Sequence, residues 1–137
     1  MDQQNYYRVS IKGIVIDENG RFLLSKEDDG EWELLGVGLD HGEDPKTCLT
    51  REVYEETGLK VTRISETPLY FVTSPRRHHD TYAANVIYQI ELENLNFKPS
   101  DECVELRFCN LEEAQALPLF PNMKQLLKIN DEKYRAF

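Results

Sequence analysis

The fold of this chain is decided by the stretch Gly36–Leu59, which reads GVGLDHGEDPKTCLTREVYEETGL. Asp44 followed by Pro45 is typical of a helix start, because aspartate caps free N–H groups and proline needs no N–H at the first helical position. Gly58 is typical of the left-handed residue just beyond a helix end. The stretch therefore predicts a glycine-containing turn followed by a helix between Asp44 and Gly58.

The predicted helix gathers acidic side chains on one face. Glu52, Glu55 and Glu56 lie at positions i, i+3 and i+4, so their carboxylates fall on the same side. Leu49 and Val53 form an apolar stripe beside them that can rest on a core. Like charges at this spacing repel by about 0.2–0.5 kcal/mol per pair, and a bound divalent cation would remove that repulsion. The alternative is a solvated acidic surface without a ligand.

The same stretch resembles the Nudix box, G-x5-E-x7-R-E-U-x-E-E-x-G-U, in which U is a bulky aliphatic residue. Every position but the first matches at the required spacing, namely Glu43, Arg51, Glu52, Val53, Glu55, Glu56, Gly58 and Leu59. Val37 stands where the box begins with glycine. Because a β-branched residue tolerates a positive φ poorly, this substitution puts the local conformation of the turn in question.

The resemblance implies an α/β domain of the Nudix fold, with a mixed β-sheet between helices. It also implies that a phosphoanhydride bond is cleaved in a nucleoside diphosphate linked to another group, with Mg²⁺ or Mn²⁺ as cofactor. The ligands that it assigns to the metal are Glu52, Glu55, Glu56 and the carbonyl of Gly36. In the same scheme Arg51 orients a glutamate, Glu43 braces the loop, and Gly58 ends the helix.

The resemblance further implies a glutamate from outside the box, acting as an added metal ligand or as the general base. Glu105, on a predicted strand, is our first candidate, and Glu102 is the second. Glu56 is the candidate for the general base within the box. A solvated strand or loop position explains Glu102 and Glu105 equally well.

Candidate substrate contacts lie outside the box. The loop at 74–80 holds the only concentrated positive charge, where Arg76 and Arg77 could clamp phosphate oxygens and His78 or His79 could contact a leaving group. A solvated loop is the alternative. Trp32 could stack on a base, or else pack in the core or under the loop.

The substrate itself is left open by the sequence. By resemblance, a proline placed like Pro75 leans towards ADP-ribose-type substrates, although a chance loop proline explains it as well. Nucleoside triphosphates, nucleotide sugars and dinucleotide polyphosphates all fit the box. A non-catalytic nucleotide-binding or regulatory module is the second hypothesis, and Val37 is the feature that favours it.

Composition predicts an ordinary globular domain. The 137 residues are 40% hydrophobic and 30% charged, and their net charge of −9 argues against nonspecific binding of nucleic acid. A phosphorylated small molecule is compatible with this charge, because a bound metal inverts the local field. We expect one domain at 7–131, with a flexible arm at 1–6 and a tail at 132–137. The sequence is compatible with a homodimer but does not specify one.

Cellular location is inferred from the cysteines and from the N-terminus. Cys48, Cys103 and Cys109 are odd in number and lack zinc-site spacing, so we expect free thiols in a reducing compartment. The N-terminus has no signal-peptide pattern, and no apolar run approaches the roughly 18 residues of a membrane span. These observations predict a cytoplasmic protein that is not associated with a membrane.

The flanking sequence predicts strands and short helices. Asn19-Gly20 predicts a hairpin turn, and Tyr82 to Leu92 alternates apolar residues with period two. We expect strands at 7–16, 21–26, 60–64, 69–73, 81–92 and 102–109, and helices at 111–116 and 122–131.

Overall fold

The computed structural model describes residues 4–129 and 136–137, which contain eight strands and three helices. The strands are β1 (Tyr7–Ile14), β2 (Phe22–Lys26), β3 (Trp32–Glu33), β4 (Leu35–Gly38), β5 (Val61–Ile64), β6 (Tyr70–Pro75), β7 (Tyr82–Leu92) and β8 (Glu105–Cys109). The helices are α1 (Pro45–Thr57), α2 (Leu111–Gln115) and α3 (Pro121–Ile129). None of these helices is long and apolar enough to cross a membrane.

Strand β7 organises a five-stranded mixed sheet. It runs parallel to β1 on one side, and on the other it pairs antiparallel with β6 and then with β5. β4 extends the sheet by antiparallel pairing with β1. The remaining strands form a separate antiparallel sheet in the order β3-β2-β8.

Helix α1 begins and ends as the sequence predicts. The Asp44 carboxylate accepts a hydrogen bond from Thr47 N at 3.0 Å, and Gly58 adopts φ +75° while its N–H donates to Tyr54 O at 2.7 Å. Leu49 and Val53 are fully buried. They lie in a core cluster with residues of β1, β4 and β7, so the helix rests on one face of the large sheet.

A second core cluster occupies the other face of that sheet. Met123, Leu126 and Leu127 of α3 pack there with residues that include Ile87 of β7 and Val72 of β6. The large sheet therefore lies between α1 and α3, which confirms the predicted mixed sheet between helices. Cys48, Cys103 and Cys109 are buried and free, as predicted.

The predicted hairpin turn after the first strand is confirmed, but the two segments beside it pair only briefly. The turn itself is present, since Gly20 has φ +79° and the Asp17 carboxylate accepts from Asn19 N and Arg21 N. However, β1 is flanked on both sides by β4 and β7 and has no free edge for β2. The two segments pair at the antiparallel Ile16–Phe22 bridge, where Leu23 N donates to Val15 O at 2.9 Å, and β2 then enters the smaller sheet.

Other boundaries also shift. β7 shows the predicted alternation, but its opposite face is buried too, including the polar Asn85 and Gln89, because helices cover both faces of this central strand. β8 begins at Glu105 instead of residue 102, after a tight bridge between Ser100 and Cys103.

The predicted chain ends fall partly outside the described residues. Residues 1–3 of the expected arm, residues 130–131 of the expected last helix, and residues 132–135 of the expected tail are not among them. At 136–137, Ala136 N donates to the buried Gln89 side chain at 2.6 Å, and Gln89 donates to Phe137 O at 3.0 Å.

Candidate active site

A cleft of about 490 Å³ opens on the α3 side of the large sheet, beyond the part that α3 covers. Arg8, Ser10 and Lys12 line it from β1, since alternate residues of a strand face the same side. The other walls come from β3, β4, the loop after β6, α1 and the start of α3. Both sheets therefore contribute to one cleft.

Arg51 ties the loop before α1 to the acidic face of the helix. Its guanidinium donates to Glu43 at 2.7 Å, to Glu52 at 2.7 Å, and to Glu55 at 3.3 Å. The other Glu43 oxygen accepts from Asp40 N at 2.9 Å, and this bond together with the Arg51 contact lowers the pKa of Glu43. Arg51 and Glu43 thus occupy the orienting and bracing positions that the resemblance assigns to them.

Glu56 is the box carboxylate that lines the cleft. Only 8% of its surface is exposed, and burial raises its pKa to about 8. The carboxylates of Glu33, Glu102 and Glu52 add to this rise, whereas Lys12 opposes it. Burial is thus the main cause of the raised pKa, and three neighbouring carboxylates act on Glu56 against one ammonium.

Glu52 and Glu55 are not among the residues that line the cleft, and both carboxylates contact Arg51. Burial raises the pKa of Glu52, and Arg51 partly offsets that effect. The Glu55 side chain is exposed. The two carboxylates are therefore held by an arginine that would have to share them with any metal.

The donor chemistry at this position fits a hard divalent cation. Oxygen atoms such as those of carboxylates are the ligands that Mg²⁺ and Ca²⁺ prefer, and such a cation would offset the charges of the carboxylates that act on Glu56. Among residues 4–129 and 136–137, no three His, Cys, Asp or Glu side chains already form a group that could hold a metal ion. The carboxylates of the box therefore fit such a cation in the kind of donor that they supply.

The backbone of β4 shows whether Val37 has to adopt a positive φ. The positive φ falls on Gly36, at +122°, where an added Cβ would lie 2.1 Å from the backbone oxygen of Ile11. Val37 is an ordinary residue of β4 opposite Ile11, and its φ is not positive. The concern about Val37 was therefore wrong, because the constraint belongs to the preceding residue.

A buried ion pair that the sequence did not indicate lies in the cleft. Lys12 is 5% exposed and Glu33 is 8% exposed, and their charged atoms are 2.5 Å apart. Lys12 also donates to the Gly36 carbonyl at 2.7 Å. Asn122 Nδ2 donates to Glu33 at 3.4 Å and to Asn85 at 3.2 Å. A lysine in a strand that becomes apolar on both faces was the available signal for this site.

The two arginines of the loop after β6 differ in their contacts. Arg77 is bound by three carboxylates, Glu27 at 3.1 Å, Glu31 at 3.0 Å and Asp29, so its predicted phosphate clamp finds no support in these contacts. Arg76 lines the cleft and donates to the Thr81 hydroxyl at 3.0 Å.

The structure overturns two predicted site residues. Trp32 is only 3% exposed and packs in the α3-side core, so it does not offer a stacking face to a base. Glu105 does not line the cleft and instead accepts from Arg107 at 2.9 Å. Glu102, the second candidate, lines the cleft and acts on Glu56 electrostatically. It lies before β8, which begins at Glu105.

Solved structures show the same fold. The MutT protein of Methanosarcina mazei Go1 has a TM-score of 0.75 at 21% identity, covering 93% of this chain and 94% of that one. An ADP-ribose pyrophosphatase from Streptococcus suis 89-1591 has a TM-score of 0.68 at 23% identity, covering 95% and 97%. At such identities the likeness concerns the fold alone.

Curated relatives match over shorter segments. A MutT-like protein of Streptomyces ambofaciens is 46% identical over 56 residues, which are 40% of this chain and 36% of that protein. An RNA pyrophosphohydrolase of Dinoroseobacter shibae is 34% identical over 68 residues, or 45% and 42% of the two chains. The match thus spans less than half the length of either relative.

A family model described as the NUDIX domain matches residues 6–128, which is nearly all of the chain and includes both sheets, the box helix and the cleft. The chain belongs to the Nudix family.

Proposed function

We propose that this protein is a divalent-metal-dependent hydrolase that cleaves a phosphoanhydride bond in a nucleoside diphosphate linked to another group. Mg²⁺ is the proposed cofactor, and Mn²⁺ is the expected substitute. The observation that carries this proposal is Glu56, a buried carboxylate of the box helix that faces a cleft among further carboxylates. Membership in the Nudix family supports the same reaction class.

We assign the metal-holding role to Glu52, Glu55, Glu56 and the Gly36 carbonyl. When bound, the cation would offset negative charge on the phosphate oxygens and lower the pKa of a coordinated water. Arg51 keeps Glu52 and Glu55 close together through its two donor contacts. Glu43 holds Arg51 in turn, so the loop and the helix act as one rigid support.

A carboxylate in the cleft is proposed to take the proton of the attacking water. Glu56 and Glu102 both line the cleft, whereas Glu105 does not. A general base must lie within hydrogen-bond reach of the proton that it removes, so the position of Glu102 in the cleft favours it over Glu105. We therefore replace Glu105 with Glu102 in this role.

Positively charged groups on the cleft wall are proposed to bind the substrate phosphates. Arg8 and Arg76 line the cleft together with His78 and His79. Guanidinium groups suit phosphate oxygens because they donate in a planar fork. Arg77 would act indirectly, by holding this loop in place through its carboxylate contacts.

For the substrate, we favour a nucleotide sugar such as ADP-ribose over a nucleoside triphosphate or a dinucleotide polyphosphate. Pro75 lines the cleft at the end of β6, and by resemblance a proline at this place favours ADP-ribose-type substrates. A structural neighbour is named as an ADP-ribose pyrophosphatase, and another as a UDP-X diphosphatase. A non-catalytic module loses its sequence argument, because Val37 sits in a regular strand.

A substrate panel tests the reaction class. Purified protein is incubated with ADP-ribose, UDP-glucose, ATP and diadenosine tetraphosphate, each with Mg²⁺, Mn²⁺ or EDTA, and the products are identified by mass spectrometry. We expect metal-dependent release of a nucleoside monophosphate from at least one diphosphate-linked substrate. Tight substrate binding without any product would favour the binding module instead.

Glutamine variants test the assigned residues. Glu56→Gln and Glu102→Gln should keep the fold and lose turnover by about 100-fold or more, since each removes a carboxylate from the cleft. Glu105→Gln is the matched control, because it removes the same charge three residues away and outside the cleft. Equal losses in Glu102→Gln and Glu105→Gln would refute the distinction drawn between them.

A further inference from the structure

Lys12 lies directly opposite Gly36 in the β1–β4 pairing. The lysine side chain turns towards the cleft, where its ammonium donates to the Gly36 carbonyl at 2.7 Å. The Gly36 backbone is held by the pairing of β4 with β1, in which Gly36 lies opposite Lys12. The ammonium therefore meets a carbonyl that cannot easily turn away.

The same ammonium offsets part of the negative charge in the cleft. It lies 2.5 Å from Glu33, and it interacts electrostatically with Glu56 and Glu27. Lys12 and Glu33 are both almost fully buried. In such surroundings the interaction between charges is weakly screened, so a single ammonium affects every nearby carboxylate.

We propose that Lys12 is a built-in cation of the cleft that lowers the intrinsic affinity of the protein for divalent metal. The Lys12 ammonium binds the Gly36 carbonyl and interacts electrostatically with Glu56, and a divalent cation would use both of these groups. This inference rests on the proposed function, because it concerns the same cation site. It assigns Lys12 a positioning role and not a catalytic one.

The two contacts of Lys12 distinguish this role from a purely structural link between the two sheets. A tie between the two sheets would need only the ion pair of Lys12 with Glu33, which joins β1 to β3. The bond to Gly36 adds nothing to that link, since β1 and β4 already pair along their backbones. What the bond does is place a positive charge on a candidate ligand oxygen.

The test is a calorimetric titration with Mn²⁺ alone, without substrate. Lys12→Met should bind Mn²⁺ at least about tenfold more tightly than the wild type, because a positive charge beside the site is removed. Arg8→Met is the matched control, since Arg8 lies on the same face of β1 and lines the same cleft but bonds to Leu39 and Asp40. Its affinity should change much less.

A second variant keeps the proposal testable if Lys12→Met does not fold. Glu33→Gln leaves the ammonium without its closest counter-charge, so Mn²⁺ binding should weaken severalfold, opposite in sign to the Lys12→Met effect. Circular dichroism and thermal unfolding establish that each variant is folded. A purely structural role for Lys12 would weaken Mn²⁺ binding in both variants.

The outcomes separate this inference from the proposed function. If Lys12→Met binds Mn²⁺ no more tightly than the wild type, or if Arg8→Met shows the same gain, the inference is overturned while hydrolysis stands. If the wild-type protein binds no divalent metal and hydrolyses nothing in the substrate panel, the proposed function fails first.

Discussion

The guanidinium of Arg77 stacks on the ring of Phe120, with 3.6 Å between Cζ and the ring centroid. The same group binds Glu27 and Glu31, so it joins the loop after β6 to the loop before β3 and to the segment before α3. Since Arg77 and Phe120 both line the cleft, this contact shapes its wall.

Arg77→Ala should therefore raise KM more than it lowers kcat, because the wall loosens while the carboxylates of α1 stay in place. The lost stacking and ion pairs should also lower stability by about 1–2 kcal/mol. Steady-state kinetics and urea unfolding measure the two effects. Arg21→Ala is the control, since Arg21 pairs with Asp17 in a turn away from the cleft. A fall in kcat with unchanged KM would contradict the positioning role.

The stability of the metal-free protein should depend on pH through Glu56. Burial holds its pKa at about 8 in the folded state, above the usual carboxyl value of 4.5, so the folded protein binds more protons than the unfolded chain between these values. The free energy of unfolding should thus fall as pH rises from about 5 to 8. Thermal unfolding in EDTA measures this slope.

Two comparisons check the origin of that slope. The free energy of unfolding of Glu56→Gln should change less over the same pH range, because the titrating group is gone. Mg²⁺ should restore the stability of the wild-type protein at pH 8. A slope of equal size in Glu56→Gln would assign the effect to other groups, of which Glu52 and Glu27 also have raised pKa values.

Strand β4, before the box helix, should not tolerate substitution at Gly36 but should tolerate it at Val37. Gly36→Ala forces a side chain into a positive φ and against the Ile11 carbonyl, which should cost about 3 kcal/mol or more. Val37→Gly should cost only about 1 kcal/mol, the usual penalty for glycine in a strand, and should not raise turnover. Urea unfolding and a hydrolysis assay test both statements. A gain in turnover for Val37→Gly would show that valine impairs the site.

Trp32 should affect stability and not base selection. Trp32→Ala should lose about 3–5 kcal/mol, because the buried indole leaves a cavity in the α3-side core. Trp32→Phe should lose less, since it keeps an aromatic ring there. The ratio of kcat/KM between adenine and uracil nucleotides should be the same in Trp32→Phe and in the wild type. A changed ratio would return Trp32 to the substrate site.

The sequence by itself determined the box helix, its ends and its acidic face. These features depend on residues a few positions apart, such as Asp44 with Thr47 and Arg51 with Glu55, and local geometry fixes such spacings. It also determined the class of fold and the family, because the box pattern is long and local. Most strands could be predicted as well, because the alternation of apolar and polar residues is also a local pattern.

Only the tertiary structure decided the other half of the site. Lys12 meets Glu33, and Arg77 meets Glu27, because segments far apart in the sequence and belonging to both sheets and their loops line the same cleft. Period two predicts that alternate residues share a face of a strand, but it does not tell whether that face meets solvent, a core or a cleft. The packing of distant segments therefore placed Trp32 in the core and Glu102 at the wall of the cleft, which no local pattern could distinguish.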